Sequence, residues 1–278
     1  MKLFQAALWV IIALGSLPAL LNFGVMFLPA PGPAALSLLI AAALGAVGVA
    51  LWRVSPMWVK GAGWASASVL WGCTAAVSLA FIPGAPLMST AATVGWDGAI
   101  MSWAGAYPEE FSKALGVLFI LLSFRQLNRP WHGMVVGAMV GWGFEVYENF
   151  LYSVTGALMH PSSDWLGMLQ MWGLRLLAGP GLHMCLTALA GYGIGWALFS
   201  AYKPLWWRLA VGFGTLAGSF LLHFAWNYMW DATWVMIVQY VLVAAVLYPT
   251  VIYAVLRGNR RARADTTYSY LPVSAHLR

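Results

Sequence analysis

Apolar runs long enough to cross a bilayer follow one another from Leu3 to Leu256, and that recurrence restricts the chain to one kind of architecture. About 20 apolar residues in an α-helix cover a hydrocarbon core about 30 Å thick. Inside that core the backbone finds no water to bond, so only helices or closed barrels span it. The runs are of helix length, and the chain is 62% hydrophobic with only 8% charged residues. The sequence therefore predicts an all-α, polytopic transmembrane helical bundle. Eight spans are expected, at 3–28, 33–52, 58–82, 108–124, 131–155, 182–202, 205–230 and 233–256. The apolar segment 165–178 is short of a further span and ends at Gly179, Pro180 and Gly181, which break a helix. It is read as one short interfacial or re-entrant helix. Residues 1–256 form a single integral membrane domain, with the motif-bearing core at about 108–230, and 257–278 form a short cytoplasmic polar tail. The N-terminus resembles a signal peptide, but the run 3–28 is too long for its apolar region, so an uncleaved first span is expected.

The basic residues orient this bundle. In the eight-span arrangement Lys2, Arg53, Lys60, Arg125, Arg129, Lys203, Arg208, Arg257, Arg260, Arg261, Arg263 and Arg278 all fall on one side, twelve of the fourteen Lys and Arg. Asp97, Asp164 and Asp231 fall in the opposite loops. By the positive-inside rule the basic side is cytoplasmic, as are both termini. The net charge of +6 is thus an orientation signal, and nucleic acid is not an expected partner. Cys73 and Cys185 lie in apolar segments without a CxxC spacing, which gives neither a disulfide framework nor a thiolate metal site.

Against this background the acidic residues stand out. The chain has eight Asp and Glu, and all four glutamates, Glu109, Glu110, Glu145 and Glu148, lie inside membrane-length apolar segments. An ionised carboxylate at bilayer depth costs roughly 2.5–3.5 kcal/mol on insertion scales unless it is paired or hydrated. Glu110 opens the fourth expected span from its outer end, and His183 opens the sixth. Glu148 and His223 lie 17 and 18 residues above the inner ends of their spans, at roughly 25 and 27 Å of rise. Four spans therefore deliver ionisable groups to the outer third of the bilayer.

Spacing agrees with depth. Glu145, Glu148 and Asn149 occupy i, i+3 and i+4 and share one helix face. Gly133, Gly137 and Gly141 continue that face as a small-residue stripe for a close helix contact. Gly191/Gly195 and Gly214/Gly218 are read as packing pairs of the same kind. His223 and Asn227 are also i, i+4, and Lys113 is a local counter-charge for Glu109 and Glu110. Arg175 is read as a counter-ion for the glutamates, while His132 and His160 are expected to be solvated.

Four carboxylates against Lys113 and Arg175 leave two negative charges. Protonated glutamates, imidazolium from His183 and His223, or one divalent metal such as zinc would each relieve the imbalance. Glu110, Glu148, His183 and His223 are the candidate ligands, by donor type alone. A buried carboxylate can act as general base on water, and a His or Asn side chain can donate to the oxyanion formed on a carbonyl. His223 with Asn227 fits the donor role, and a second His can protonate a leaving amine. No serine has a base nearby, so hydrolysis by activated water is favoured over a covalent intermediate.

Four ordered blocks carry a resemblance: EEFSK (Glu109 to Lys113), FEVYEN (Phe144 to Asn149), His183 with Thr187 after the Arg175 segment, and HFAWN (His223 to Asn227). With these blocks the chain resembles the PrsW-type intramembrane proteases, relatives of the CAAX-prenyl endopeptidase and Abi membrane proteins. The resemblance implies a CAAX-protease/Abi-like core and an active centre of Glu109, Glu110, Glu148, His183, His223 and Asn227. It also implies site-1-type cleavage of a membrane-anchored regulator such as an anti-sigma factor. Some relatives are grouped with metallopeptidases, and the CAAX-type ones look like metal-free glutamate proteases. Glu145 departs from the pattern and is expected to tune Glu148 by like-charge proximity or to add a ligand. Two other readings use the same residues: a proton- or cation-coupled transporter with the glutamates as a relay, and a non-catalytic scaffold held together by polar clamps.

Overall fold

The computed structural model describes residues 2–61 and 63–268. Among them there is no strand. The helices are α1 (Lys2–Phe27), α2 (Pro31–Arg53), α3 (Gly63–Leu70), α4 (Val77–Thr93), α5 (Tyr107–Ser123), α6 (His132–Met159), α7 (Asp164–Ala178), α8 (Leu182–Phe199), α9 (Leu205–Asn227) and α10 (Thr233–Ala264). A π-helical turn, Trp71–Ala76, joins α3 to α4 without a break. Six stretches are long and apolar enough to cross a membrane: Lys2–Phe27, Pro31–Arg53, Gly63–Thr93, Asp164–Phe199, Leu205–Asn227 and Thr233–Ala264. The charged helices α5 and α6 are not among them.

The centre of the bundle is α6, buried along most of its length. Glycines explain how other helices reach it. A Cβ on Gly133, Gly137 or Gly141 would collide with the backbone of α8, at Gly191, Thr187 and His183 respectively. Gly191 and Gly195 on α8 are equally constrained from the other side. The opposite face of α6 meets α3 and the π-turn, where Gly143 abuts the Val69 carbonyl and Gly72 abuts that of Val140. Polar bonds add register. Trp142 donates to the Gly45 carbonyl at 3.2 Å, the Ser37 and Ser153 hydroxyls bond across α2 and α6, and Trp172 of α7 donates to Ser37 at 3.1 Å. The third glycine pair behaves differently: Gly214 and Gly218 have open space where a Cβ would stand, so they are not packing devices. Their i, i+4 spacing is genuine, but among the described residues nothing lies within 4 Å of a Cβ at either position.

Two boundaries differ from the sequence expectation. The stretch 83–107, expected as an outer loop, continues α4 to Thr93 and then forms a 3-10 turn at Asp97–Ala99 and a π-turn at Ser102–Ala106. Pro83 and Pro86 each remove one N–H from α4 but do not stop it. The remaining backbone groups have no better partner in an apolar setting than the helix itself. The last helix runs past 256 to Ala264, so Arg257, Arg260, Arg261 and Arg263 are helical. Arg261 lies over the Trp196 ring at 4.4 Å, Asn259 bonds Ser55 at 2.8 Å, and Arg129 pairs with Asp265 at 2.6 Å. That Arg129 bond holds the Asp265 carboxyl at about 2, below the usual carboxylate range. These contacts gather Arg129 and the arginines of α10 at one end of the bundle with the turn after α2. Arg278 lies outside the described residues. His132, expected to be solvated, is buried and accepts from the Arg129 amide at 3.2 Å.

The two kinds of glycine give opposite expectations. Gly137→Leu forces α6 and α8 apart and lowers stability by about 1–3 kcal/mol or more. Gly214→Leu leaves the melting temperature near wild type. Thermal unfolding of both variants in one detergent checks the contrast.

Candidate active site

Five helices bring the ionisable residues to one place. Pro108 sits in the first turn of α5, where its missing N–H costs nothing, and Glu109 and Glu110 follow it. Glu110 is buried and its Oε1 lies 2.5 Å from the Lys113 ammonium, itself fully buried. Lys113 also stands 3.6 Å from Glu109 Oε2, 3.1 Å from His183 Nδ1 and 4.4 Å from the centre of the Phe144 ring. From α6, Glu148 Oε2 accepts from Arg175 Nη2 at 2.5 Å and meets His183 Nε2 at 2.8 Å. Arg175 donates its Nε to Asn149 at 2.6 Å, so one guanidinium joins α7 to two residues of the α6 face. On α9, His223 Nδ1 meets Glu110 Oε1 at 2.9 Å and Nε2 meets the Asn227 amide at 3.2 Å. The two imidazoles lie edge to face, with centroids 5.0 Å apart.

All ten residues singled out in the sequence thus belong to one neighbourhood, but Glu145 stands apart in role. Its Oε1 accepts from the Gly181 amide at 2.8 Å and Oε2 from the Met184 amide at 3.3 Å. Those groups belong to the first turn of α8, whose amides have no acceptor within the helix. Gly181 adopts φ +71°, a left-handed conformation suited to glycine, and sends the chain from α7 into α8. Glu145 therefore caps α8 and sets the position of His183. No contact with the imidazoles gives it the ligand role considered from sequence.

The fit to a metal turns on one atom. Glu109 Oε2 is buried and has no hydrogen-bond partner. It lies 3.8 Å from His183 Nδ1 and 3.8 Å from His223 Nε2. Each ring has its other nitrogen against a carboxylate, His183 on Glu148 and His223 on Glu110. Such outer carboxylates fix the tautomer and leave the inner lone pair free for a ligand role. Glu109, His183 and His223 consequently form a buried group whose ligand atoms lie within 4.8 Å of one another. Two imidazoles and one carboxylate are a donor set that suits zinc, and three protein ligands leave a position for water. Of the candidate ligands expected from sequence, His183 and His223 belong to this group. Glu110 and Glu148 stand behind the rings, and Glu109 joins the group directly. Lys113 and Asn227 approach the same two nitrogens, so binding an ion there displaces their donated hydrogens.

Three further residues matter that sequence reasoning did not single out. A Cβ on Gly105 would stand 3.2 Å from Glu109 Oε1 and 3.0 Å from the Asn227 amide, so the π-turn reaches the site through a glycine. Phe144 touches His183 with ring centroids 5.1 Å apart, and Tyr152 lies under Arg175 at 4.6 Å. Phe144 and Tyr152 lie four residues before and after Glu148, on the same helix face, and that spacing was available in the sequence. Beside the centre is a cavity of about 490 Å³ with Glu109 and Glu148 on its wall.

A multi-pass helical bundle enclosing a buried carboxylate–imidazole centre beside a cavity defines a membrane-embedded hydrolase. The family model described as PrsW family intramembrane metalloprotease matches residues 60–254. The chain belongs to this family and is a membrane-embedded peptidase. Comparisons with curated proteins and with solved structures give no significant match.

The cap assigned to Glu145 is directly checkable. Glu145→Ala strands two backbone amides in a buried place, at about 1–3 kcal/mol for each unsatisfied donor. The melting temperature should fall clearly in Glu145→Ala. A wild-type melting temperature would contradict the cap.

Proposed function

We propose that this chain is an intramembrane endopeptidase that cuts a membrane-anchored regulatory protein, of the anti-sigma-factor kind, by water activated at Glu109. The observation that carries the reading is the buried Glu109 Oε2, which accepts no hydrogen bond and faces two carboxylate-backed imidazoles on the edge of a cavity. Glu109 accepts the proton of the attacking water and returns it to the amine as the C–N bond breaks. The Asn227 amide donates to the oxyanion. Glu148 and Glu110 hold the His183 and His223 rings in orientation, Lys113 and Arg175 balance the carboxylates, and Asn149 fixes Arg175. Alternatively, Glu109, His183 and His223 would hold a divalent ion such as zinc, which would supply Lewis-acid polarisation of the carbonyl and activation of water in place of Glu109 as base.

Eight spans are part of this proposal, with a CAAX-protease/Abi-like core. The 17 residues of α5 and 28 of α6 correspond to about 26 and 42 Å of helix, while the 15 of α7 give about 22 Å. Against a core about 30 Å thick, α7 is the short interfacial or re-entrant element. The basic end of the bundle faces the cytoplasm, both termini lie there, and the centre lies toward the outer leaflet of the cell membrane.

Comparison of membrane-protein N-termini in cells making wild type or Glu109→Gln at matched levels tests the proposal. New N-termini near outer membrane faces, present with wild type alone, are the expected result. Identical N-termini with a folded variant would contradict hydrolysis and favour a transporter or scaffold. Cuts on the cytoplasmic side would contradict the orientation.

A further inference from the structure

We propose that the cavity beside Glu109 and Glu148 is a specificity pocket that selects a membrane-spanning segment with a large apolar residue next to the scissile bond. This rests on the peptidase reading of the same centre. The cavity, about 490 Å³, falls within the range of about 300–1,000 Å³ typical of ligand sites. Its wall carries the two carboxylates and several neutral polar groups, and also Met26 of α1, Phe81 and Met88 of α4, Met101 before the π-turn and Leu151 of α6. Three of these five are methionines, whose unbranched side chains adapt to different apolar shapes. A charged substrate side chain set among these five apolar residues would find no counter-charge in them and would bear a cost of burial.

In the proposed span arrangement the cavity opens toward the bilayer. Phe81, Met88 and Met101 line it and are 56%, 41% and 44% exposed. In a membrane that exposure is to lipid, so a substrate helix can arrive laterally between α1, α4 and α6. Cutting a helix requires opening it, and each freed backbone group in lipid needs a new partner. Pro83 and Pro86 have no N–H, so the carbonyls of Leu79 and Ile82, beside the wall residues Ala80, Phe81 and Gly84 in the chain, lose their α-helical donors.

Gly84 allows a direct test. A Cβ there would meet nothing nearer than the Ala104 carbonyl at 3.6 Å, an ordinary contact, so a side chain can be added without moving the backbone. The probes are single-span model substrates in nanodiscs, differing only in the residues flanking the cut: Leu, Phe, Trp, Ala, Gly, Lys or Glu. Wild type should cut the Leu and Phe substrates about tenfold faster than the small or charged ones, a ratio within reach of an apolar pocket. Gly84→Phe should remove that preference while cutting the Ala substrate within about twofold of wild type. Met101→Ala, at an exposed position on the rim, enlarges the pocket and should shift preference toward a Trp flank; it serves if Gly84→Phe does not fold. Equal cutting of all flanks by wild type, or an unchanged preference in a folded variant, overturns the pocket alone. A wild type that cuts none of the set contradicts the peptidase reading itself.

Discussion

The backbone-to-backbone approach of α6 and α8 is the contact on which the rest of the molecule depends. Glycines at 133, 137 and 141 leave α6 without side chains along one line, and α8 lies against that line at the carbonyls of Gly191, Thr187 and His183. The line ends one turn below Glu145, which accepts the amides of Gly181 and Met184 and so fixes where α8 begins. Glu148, one turn further on, then meets His183 Nε2 at 2.8 Å. Packing, capping and the first half of the candidate centre are thus successive turns of one helix face. Where helices are surrounded by lipid, small residues that permit close approach take the place of hydrophobic burial as the source of specificity.

The cluster of charge that this packing encloses is costly, and its arrangement shows how the cost is met. Lys113 serves Glu110 and stands near Glu109, while Arg175 serves Glu148 and Asn149. Glu145 relies on helix amides. Glu109 Oε2 accepts no hydrogen bond and has Lys113 only at 3.6 Å, beside two rings whose outer nitrogens are already bonded to carboxylates. Buried polar atoms normally find partners, and those that do not are concentrated where a protein works on something else. Glu110 Oε2 also lacks a hydrogen-bond partner, but of the two glutamates only Glu109 lines the cavity.

Much of this was legible in the sequence because two periodicities carry it. Apolar length gave the helices, and i, i+3, i+4 spacing gave the shared face of Glu145, Glu148 and Asn149 and the pairing of His223 with Asn227. The glycine stripe at 133–141 was legible for the same reason. Other features depend on which way a helix is turned. Adjacent residues point about 100° apart, so sequence could not say that Glu109 faces the imidazoles while Glu110 stands behind one. Gly214 and Gly218 carry the same spacing as Gly133 and Gly137 but have open space beside them. The stretch that begins at Pro83 fell outside the expected spans, and only the packed structure shows α4 running through Pro83 and Pro86. Gly105, close to Glu109 and Asn227, lay in that stretch.

The central claim is that Glu109, His183 and His223 form a three-ligand centre, and metal content tests it without reliance on any substrate. Wild type and Glu109→Gln would be purified in detergent, exposed to zinc, desalted and assayed for metal and for thermal stability. The account predicts about one zinc per wild-type chain, as a site of two imidazoles and a carboxylate should hold, and a clear loss in a folded Glu109→Gln. Equal zinc in both proteins, or none retained by the wild type, would contradict it.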